Sequence, residues 1–411
     1  MHLHSGAKSS VSQCKHTVEV TGMGCMSAAG PDLAGCLDGI FAGHRNHSLP
    51  ARFKTCHNAP HPVFEIPASF VAATASKEKY GYTLTVVYAL QTVAEALNQS
   101  GWNGEHLRRL KVGVCIGTTV GSTLNSEEYY REYLTGGQPD MTPVCRFLNS
   151  NPASAIAREF GFNGPRQTVV NACSSGTDAI GIGAGWIESG LCDVVVAGGT
   201  DELCRVTYNG FASLMIMDNF PCRPFDQQRG GLNLGEGAAV IVLESSRLRG
   251  PADKNILGNI LGYGSACDAY HLTAPHPKGI GLKQALTCAL RISGTSASDI
   301  AFVNAHGTGT RENDKVESMV LNDVLPDIPF LSTKGYTGHA LGAAGGIEAV
   351  FALACLGMGR IPASAGYSEP DPGIGKQPVD KNTLITKKVA VSQSLAFGGN
   401  NGVLILQGCT I

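Results

Sequence analysis

The run Thr168-Val169-Val170-Asn171-Ala172-Cys173-Ser174-Ser175-Gly176 passes from three β-branched residues into a stretch made mostly of Ala, Gly and Ile that reaches Ser189. β-Branched side chains favour strand and Ser-Ser-Gly is a good helix start, so Cys173 is expected on a strand-to-helix turn. Backbone N–H groups and the positive end of the helix dipole at such a turn favour thiolate over thiol, which would make the cysteine a nucleophile at neutral pH. A single cysteine decides little, because buried Cys is commonly a small inert hydrophobe. Two later segments change the reading: Asn304-Ala305-His306-Gly307-Thr308-Gly309-Thr310, and Lys334-Gly335-Tyr336-Thr337-Gly338-His339-Ala340-Leu341-Gly342. Each sets a histidine beside glycines and hydroxyls. One thiol and two such histidines are the parts of acyl-transfer chemistry, a nucleophile plus two N–H donors or bases for an oxyanion or enolate.

Outward from these segments, apolar runs recur beside glycine-rich turns: Val18 to Val20, Val112 to Ile116, Val194 to Ala197, Val240 to Leu243, Ala301 to Val303, Val389 to Val391 and Val403 to Leu406. Continuous apolar strands alternating with helices indicate an α/β protein whose sheets are covered on both faces. Two helix candidates, Gly176 to Ser189 and Gly338 to Gly357, are crowded with Gly and Ala. Neither would hold in isolation, but small side chains let a helix approach neighbouring backbone closely, so both suit a central layer between sheets. Each begins at a catalytic candidate, Cys173 or His339, which suggests two related halves. The breaker at Gly250-Pro251 sets the expected boundary, giving residues 17–250 with the nucleophile and 251–411 with the histidines.

With 411 residues, 43% of them hydrophobic, the chain exceeds the usual size of one core. The formal charge of −2 gives no general attraction to nucleic acid or to an anionic membrane. Fourteen cysteines at irregular positions, none forming C-x-x-C, argue for reduced thiols in the cytosol and against a zinc ribbon. No metal site is expected; the nearest cluster, Cys56-His57 with His61, reads as a proline-rich loop. Residues 1–16 are polar without an apolar core, so they read as a disordered extension rather than a secretory signal. The longest apolar stretch, Ala340 to Met358, contains Glu348 and several glycines, which argues against a membrane span. Gly181-x-Gly183-x-Gly185 falls inside the helix after Cys173 and is rejected as a nucleotide loop. A soluble cytoplasmic enzyme is expected.

The segments NACSSG at 171–176, NAHGTGT at 304–310 and KGYTGH at 334–339, with Phe397-Gly398-Gly399-Asn400-Asn401, together resemble the β-ketoacyl-carrier-protein synthases, the condensing enzymes of fatty-acid and polyketide assembly. The likeness runs from about Thr17 to the end of the chain. It implies a thiolase-like fold of five layers, αβαβα, with two pseudo-symmetric halves. It assigns Cys173 the acyl thioester, and gives His306 and His339 Nε2–H bonds to the enolate formed when a malonyl thioester loses carbon dioxide. Lys334 becomes a buried support with Glu348 as its ion partner, and Asp314 and Glu317 match acidic positions that order the site. Phe397, hinged on Gly398 and Gly399, would gate the acyl pocket, its N–H joining that of Cys173 in an oxyanion hole. Thr308 and Thr310 match positions that bond the pantetheine amides. His271 and Thr273 lie in the loop along that entrance, Phe211 lines the substrate, and Val120 falls against the far end of the acyl pocket. Lys77, Lys79 and Met215 fall where a carrier protein docks. No cofactor of its own is implied, since phosphopantetheine arrives on the acyl carrier protein; the other expected partner is a second ketosynthase-like subunit, in a homo- or heterodimer.

The chain also departs from the family pattern. Gln393-Ser394-Leu395-Ala396-Phe397-Gly398-Gly399-Asn400-Asn401 replaces the usual Asn-Ser-Phe-Gly-Phe-Gly-Gly-Thr-Asn, Gly117-Thr118-Thr119-Val120-Gly121-Ser122 replaces Gly-Ser-Gly-Ile-Gly-Gly, Arg311 stands where proline is usual, and Met215 where arginine is frequent. These differences bear on the substrate and tilt the reading from housekeeping elongation towards a dedicated polyketide or polyene pathway. A coenzyme-A thiolase would carry a second cysteine in the glycine loop, and Phe397 to Asn401 has none. A non-catalytic chain-length subunit would lack Cys173.

Overall fold

The computed structural model describes residues 17–55, 57, 59–71, 81–120, 126–248 and 254–409. The N-terminal extension, the boundary at Gly250-Pro251, and Lys77 and Lys79 lie outside the described residues. Within them the strands are β1 (Val18–Ser27), β2 (Val112–Gly117), β3 (Arg166–Val169), β4 (Val194–Asp201), β5 (Gly237–Ser245), β6 (Gly258–Cys267), β7 (Ile300–Asn304), β8 (Phe330–Leu331), β9 (Arg360–Ile361), β10 (Thr383–Leu384), β11 (Val389–Leu395) and β12 (Asn400–Gly408). Apart from the small β9/β10 pair, they hydrogen-bond in the order β3-β2-β4-β5-β1-β6-β12-β11-β7-β8. Only Val18–Val20 of β1 pair with β6, so this seam joins two five-stranded runs.

Those runs repeat one another. β2 is parallel to β3 and β4, while β5 is antiparallel to β4 and β1. Likewise β7 is parallel to β8 and β11, while β12 is antiparallel to β11 and β6. Mapping β1, β2, β3, β4 and β5 onto β6, β7, β8, β11 and β12 preserves every neighbour and every direction. The helices that matter here are α1 (Leu84–Ser100), α2 (Pro152–Phe160), α3 (Ser175–Glu188), α4 (Arg205–Ser213), α5 (Ile280–Ser293), α6 (Arg311–Val324) and α7 (Ala344–Met358). Helices α3 and α7 pack on each other, and each touches strands of both runs. Helices α1 and α2 cover the outer face of the first run, and α5, with α6 against it, covers that of the second. The result is the expected αβαβα stack.

Small residues make the central layer feasible. A Cβ added at Gly176 would lie 2.7 Å from the amide N of Gly346 and 2.8 Å from the carbonyl O of Gly342. Helix α7 is buried from Ala344 through Leu356, and a helix apolar on all sides belongs inside a core. Leu341–Met358 is long and apolar enough to cross a membrane, but 89% of that window is buried within the protein. The second helix starts later than its sequence suggests. Gly338 (φ +65) and Leu341 (φ +51) both adopt left-handed backbone, which breaks regular helix before Ala344. His339 therefore lies on irregular chain bridged to Leu234, its N–H donating to the carbonyl of Asn233 at 2.8 Å.

Candidate active site

The nucleophile turn is tight and strained. Ala172 has φ +49, a conformation unfavourable for a residue with a Cβ, and the surroundings fix it. The Thr119 and Ser175 hydroxyls donate to the Ala172 carbonyl at 2.9 and 2.6 Å, and the Asn171 N–H donates to Ser175 Oγ at 2.8 Å. This presents Cys173 to a pocket of about 200 Å³ lined also by Phe211, Thr273, Thr308, Thr310, His306 and His339. Cys173 is buried, and burial pushes its thiol up to about 11, opposed by the Lys334 charge and the Phe397 N–H. The helix-start effect expected from sequence therefore does not yield a resting thiolate. Desolvation outweighs it, and the nearest cation is already paired with Glu348.

Both imidazoles lie beside the sulfur. His339 Nε2 lies 3.1 Å from Cys173 Sγ, while the Leu341 N–H donates to His339 Nδ1 at 3.3 Å. Lys334 Nζ lies 3.1 Å from His306 Nδ1 and donates to the His306 carbonyl at 2.5 Å. With each Nδ1 accepting, each proton sits on Nε2. The rings cross at 85° with centroids 5.2 Å apart. Burial holds both well below the usual imidazole value, with Lys334 adding to the effect, so both are neutral at pH 7. The ligand atoms of Cys173, His306 and His339 lie within 4.8 Å of one another. A cation would need lone pairs there; two protonated Nε2 atoms instead suit an anionic oxygen.

Support for this pair is buried and polar. Lys334 forms an ion pair with Glu348, as its motif implied, and burial raises the Glu348 carboxyl against that partner. Glu317 accepts from the N–H groups of His306 and Gly307 at 2.6 and 2.7 Å, from Gln393 Nε2 at 2.6 Å and from Asn313 Nδ2 at 3.2 Å. Asp314 accepts from the N–H groups of Phe225 and Gly309 at 2.7 and 3.2 Å. Neither acid is a surface charge; both are completely buried.

The entrance matches in part. Thr308 and Thr310 line the pocket with their hydroxyls 2.9 Å apart. Phe397 stacks on Phe211 at 5.6 Å and 12°. The left-handed hinges are Gly398 (φ +87) and Gly399 (φ +82), whereas Ala396 is not left-handed. The Gly398 N–H donates to the Leu272 carbonyl at 2.8 Å, and the Asp268 N–H donates to the Gly399 carbonyl at the same distance, tying the Phe397 turn to the segment that holds Thr273. Thr273 lines the pocket, but His271 does not. Its Nδ1 accepts from the N–H groups of Thr273 and Ala274 at 3.1 and 3.2 Å and caps the turn. Val120 is likewise absent from the pocket wall, because its side chain is buried one layer behind, in a cluster with Leu232 and with Phe211 and Ile216 packed against it. Met215, by contrast, is 88% exposed.

Two contributors escaped the sequence reading. Asp201, at the end of β4, accepts from Thr118 Oγ1 at 2.5 Å and from the N–H groups of Thr119, Val120 and Gly342 at 2.8, 3.0 and 2.6 Å. It thereby ties the segment after β2 to the chain following His339; burial pushes its carboxyl up to about 6. Asn400 donates from Nδ2 to Asn171 Oδ1 at 2.6 Å, linking the turn after Phe397 to the turn that carries Cys173. An acid closing the strand that opens with the apolar run Val194 to Ala197 was the available signal for the first.

Comparison with known proteins agrees with this geometry. The family model for the β-ketoacyl synthase N-terminal domain matches residues 15–248, and that for the C-terminal domain matches residues 257–368. The chain is 32% identical over 409 residues to the 3-oxoacyl-[acyl-carrier-protein] synthase 2 of Synechocystis sp., covering 95% of this chain and 97% of that one. It is 29% identical over 411 residues to the protein of that name in Staphylococcus aureus (strain COL), covering 97% and 99%. Among solved structures, the ishigamide ketosynthase/chain length factor superposes with a TM-score of 0.90 at 29% identity, covering 96% of this chain and 100% of that one. A β-ketoacyl synthase from Burkholderia phymatum STM815 gives a TM-score of 0.86 at 27% identity, with the same coverage.

Proposed function

Because the chain belongs to the β-ketoacyl synthase family, we propose that it joins an acyl group held on Cys173 to the two-carbon unit of a malonyl group carried by acyl carrier protein, giving a 3-oxoacyl-[acyl-carrier-protein]. The observation that carries this reading is the convergence of two Nε2–H donors on one buried thiol. In the first half-reaction the Cys173 sulfur attacks the incoming thioester carbonyl. The carrier thiolate leaves and takes up the proton that Cys173 gives away. In the second, the malonyl carboxylate departs as carbon dioxide and its electron pair becomes an enolate, whose oxygen receives the His306 and His339 N–H bonds. The enolate carbon then attacks the acyl carbonyl, Cys173 leaves, and one proton from solvent restores its thiol. The Phe397 N–H, already directed at this sulfur, supplies a donor for the tetrahedral oxyanion.

Phosphopantetheine is part of the incoming substrate in this scheme, and the presence of Thr308 and Thr310 on the pocket wall supports hydrogen bonds from them to its amides. A second ketosynthase-like subunit is the other proposed partner. The open edge of β3, beside the exposed Val170, supports it, as does the likeness to a ketosynthase/chain length factor assembly. We place the enzyme in the cytosol, since the twelve described cysteines are all free thiols. The Thr118-Thr119-Val120 and Ala396 departures support a dedicated polyketide or polyene pathway over housekeeping elongation. Mass spectrometry of Cys173 after exposure to a panel of acyl-carrier proteins tests the whole reading. A thioester on Cys173 that malonyl carrier converts to 3-oxoacyl carrier is expected, and a Cys173→Ala enzyme that still condenses at the normal rate would overturn it.

A further inference from the structure

Asp178, in the first turn of α3, is a buried carboxylate that no step of the mechanism uses. Three donors surround it. The Tyr263 hydroxyl reaches Oδ1 at 2.7 Å, while Asn171 Nδ2 and the Ser174 hydroxyl reach Oδ2 at 2.5 and 2.8 Å. Asn171 and Ser174 flank Ala172-Cys173, so this one carboxylate grips both ends of the turn that carries the sulfur. Because Asp178 accepts, Asn171 turns its Nδ2 inward and presents its oxygen outward, where Asn400 Nδ2 donates to it at 2.6 Å. Asn400 in turn closes the Phe397 turn: its carbonyl accepts from the Ala396 N–H at 2.7 Å, and the Gly399 N–H donates to the Ala396 carbonyl at 3.0 Å. Gly398 and Gly399 both adopt left-handed backbone, so this turn has little stiffness of its own. On the strand leading into it, Ser394 Oγ lies 2.8 Å from Thr177 Oγ1 of α3. The start of α3 therefore holds the Phe397 turn through both of its flanking strands, β11 at Ser394 and β12 at Asn400.

Building on the acyl transfer proposed above, we propose that Asp178, acting through Asn171 and Asn400, is a positioning residue that aims the Phe397 N–H at the point where the thioester carbonyl becomes an oxyanion. The sulfur and that N–H belong to segments far apart in the chain, and the relay of amides sets one against the other. A donor stabilises developing charge only when it is held close to the productive geometry. Removing a member of the relay lets the Phe397 turn shift against the sulfur. Cys173 itself stays in place, because the Thr119 and Ser175 hydroxyls hold the Ala172 carbonyl independently of Asp178.

The test compares two reactions of the same sulfur in the wild type, Asn400→Ala and Asp178→Asn. One is acyl transfer from an acyl-pantetheine thioester, which passes through an oxyanion. The other is alkylation by iodoacetamide, which displaces iodide at a saturated carbon and forms no oxyanion. Each variant is expected to slow acyl transfer by about tenfold or more, the scale on which a misplaced donor costs rate. Alkylation, which follows the state and access of the thiol, should stay within about threefold of the wild type. Asn400 is partly exposed, so its variant decides the question should Asp178→Asn fail to fold. Acyl transfer at the wild-type rate in either folded variant would overturn the proposal. So would an equal fall in both reactions, which would mean that the relay holds the sulfur and not the donor opposite it. A wild type that is alkylated but takes an acyl group from no thioester would instead overturn the condensing reading, and this proposal with it.

Discussion

His306 and His339 act as a pair of donors only because something occupies each Nδ1: an ammonium for one ring and the Leu341 backbone N–H for the other. Replacing either ring with alanine should therefore spare acyl transfer to Cys173 and slow release of labelled carbon dioxide from malonyl carrier by about 10²–10³, the usual loss for one oxyanion donor. Normal carbon dioxide release from either variant would remove that ring from the mechanism. Asp201 acts at a distance from the chemistry. Asp201→Ala would leave the Thr119, Val120 and Gly342 N–H groups and the Thr118 hydroxyl without this acceptor, and denaturant titration should show a loss of at least about 2 kcal/mol. A midpoint within error of the wild type would mean that other groups or water take its place. The residues that folding brings together as the sequence suggested are those of NACSSG, NAHGTGT and KGYTGH, whose chemistry is carried by immediate neighbours. Asp201 and Asn400 were not legible, because their partners lie far off in the chain and only folding brings them together. His271 and Val120 show the limit of a motif: it fixes where a residue falls along the backbone, and packing decides whether its side chain caps a turn, as His271 does, or packs behind Phe211 and Ile216, as Val120 does.

At the scale of elements, the glycine content of α3 and α7 was readable as close approach, though not which glycines are obligatory. Gly181 and Gly185 are one helical turn apart and make opposite predictions. A Cβ at Gly181 would fall 2.3–2.5 Å from ring atoms of Tyr263, and that ring is held by its hydroxyl bond to Asp178 at 2.7 Å. Gly181→Ala should cost about 1–3 kcal/mol from overpacking. A Cβ at Gly185 meets nothing within 4 Å and the site is helical, so Gly185→Ala should stabilise by about 0.4–1 kcal/mol, chiefly by restricting the unfolded chain. Thermal midpoints that moved in the same direction would contradict the layer packing. The start of α7 was misjudged because sequence pattern does not reveal left-handed backbone at a non-glycine such as Leu341. The same break gives His339 its place: a regular helix from Gly338 would turn that ring through a fixed angle, whereas the irregular lead-in lets it lie against Cys173.

Across the whole molecule, the repeat of five strands puts one catalytic element at the same place in each half, the start of a central helix, so the reacting groups meet where α3 and α7 touch. The price of meeting there is desolvation, and it leaves a pH signature. His306 and His339 are held below their ordinary value, so the unfolded chain takes up protons near pH 6.5 that the folded protein refuses. Their contribution to stability is full above pH 6.5 and is lost as pH falls. Glu317, pushed up to about 7 by burial, has the opposite sign: its contribution is full below the unfolded value of about 4.3 and is lost as pH rises through 7. Glu348, raised for the same reason, adds to that slope. Between about pH 5 and 6.5 the two effects oppose one another, so wild-type stability should vary little there. Removing both rings in a His306→Ala, His339→Ala enzyme leaves only the acidic slope. Its thermal midpoint, taken relative to the wild type, should rise as pH is lowered from 7 to 5, by up to about 1.4 kcal/mol per pH unit for each histidine removed. Reading the difference against pH separates the effect from the fixed loss of packing that alanine causes at every pH. A difference independent of pH would mean that the imidazoles take up protons in the folded enzyme as readily as in the unfolded chain, and that burial does not keep them neutral.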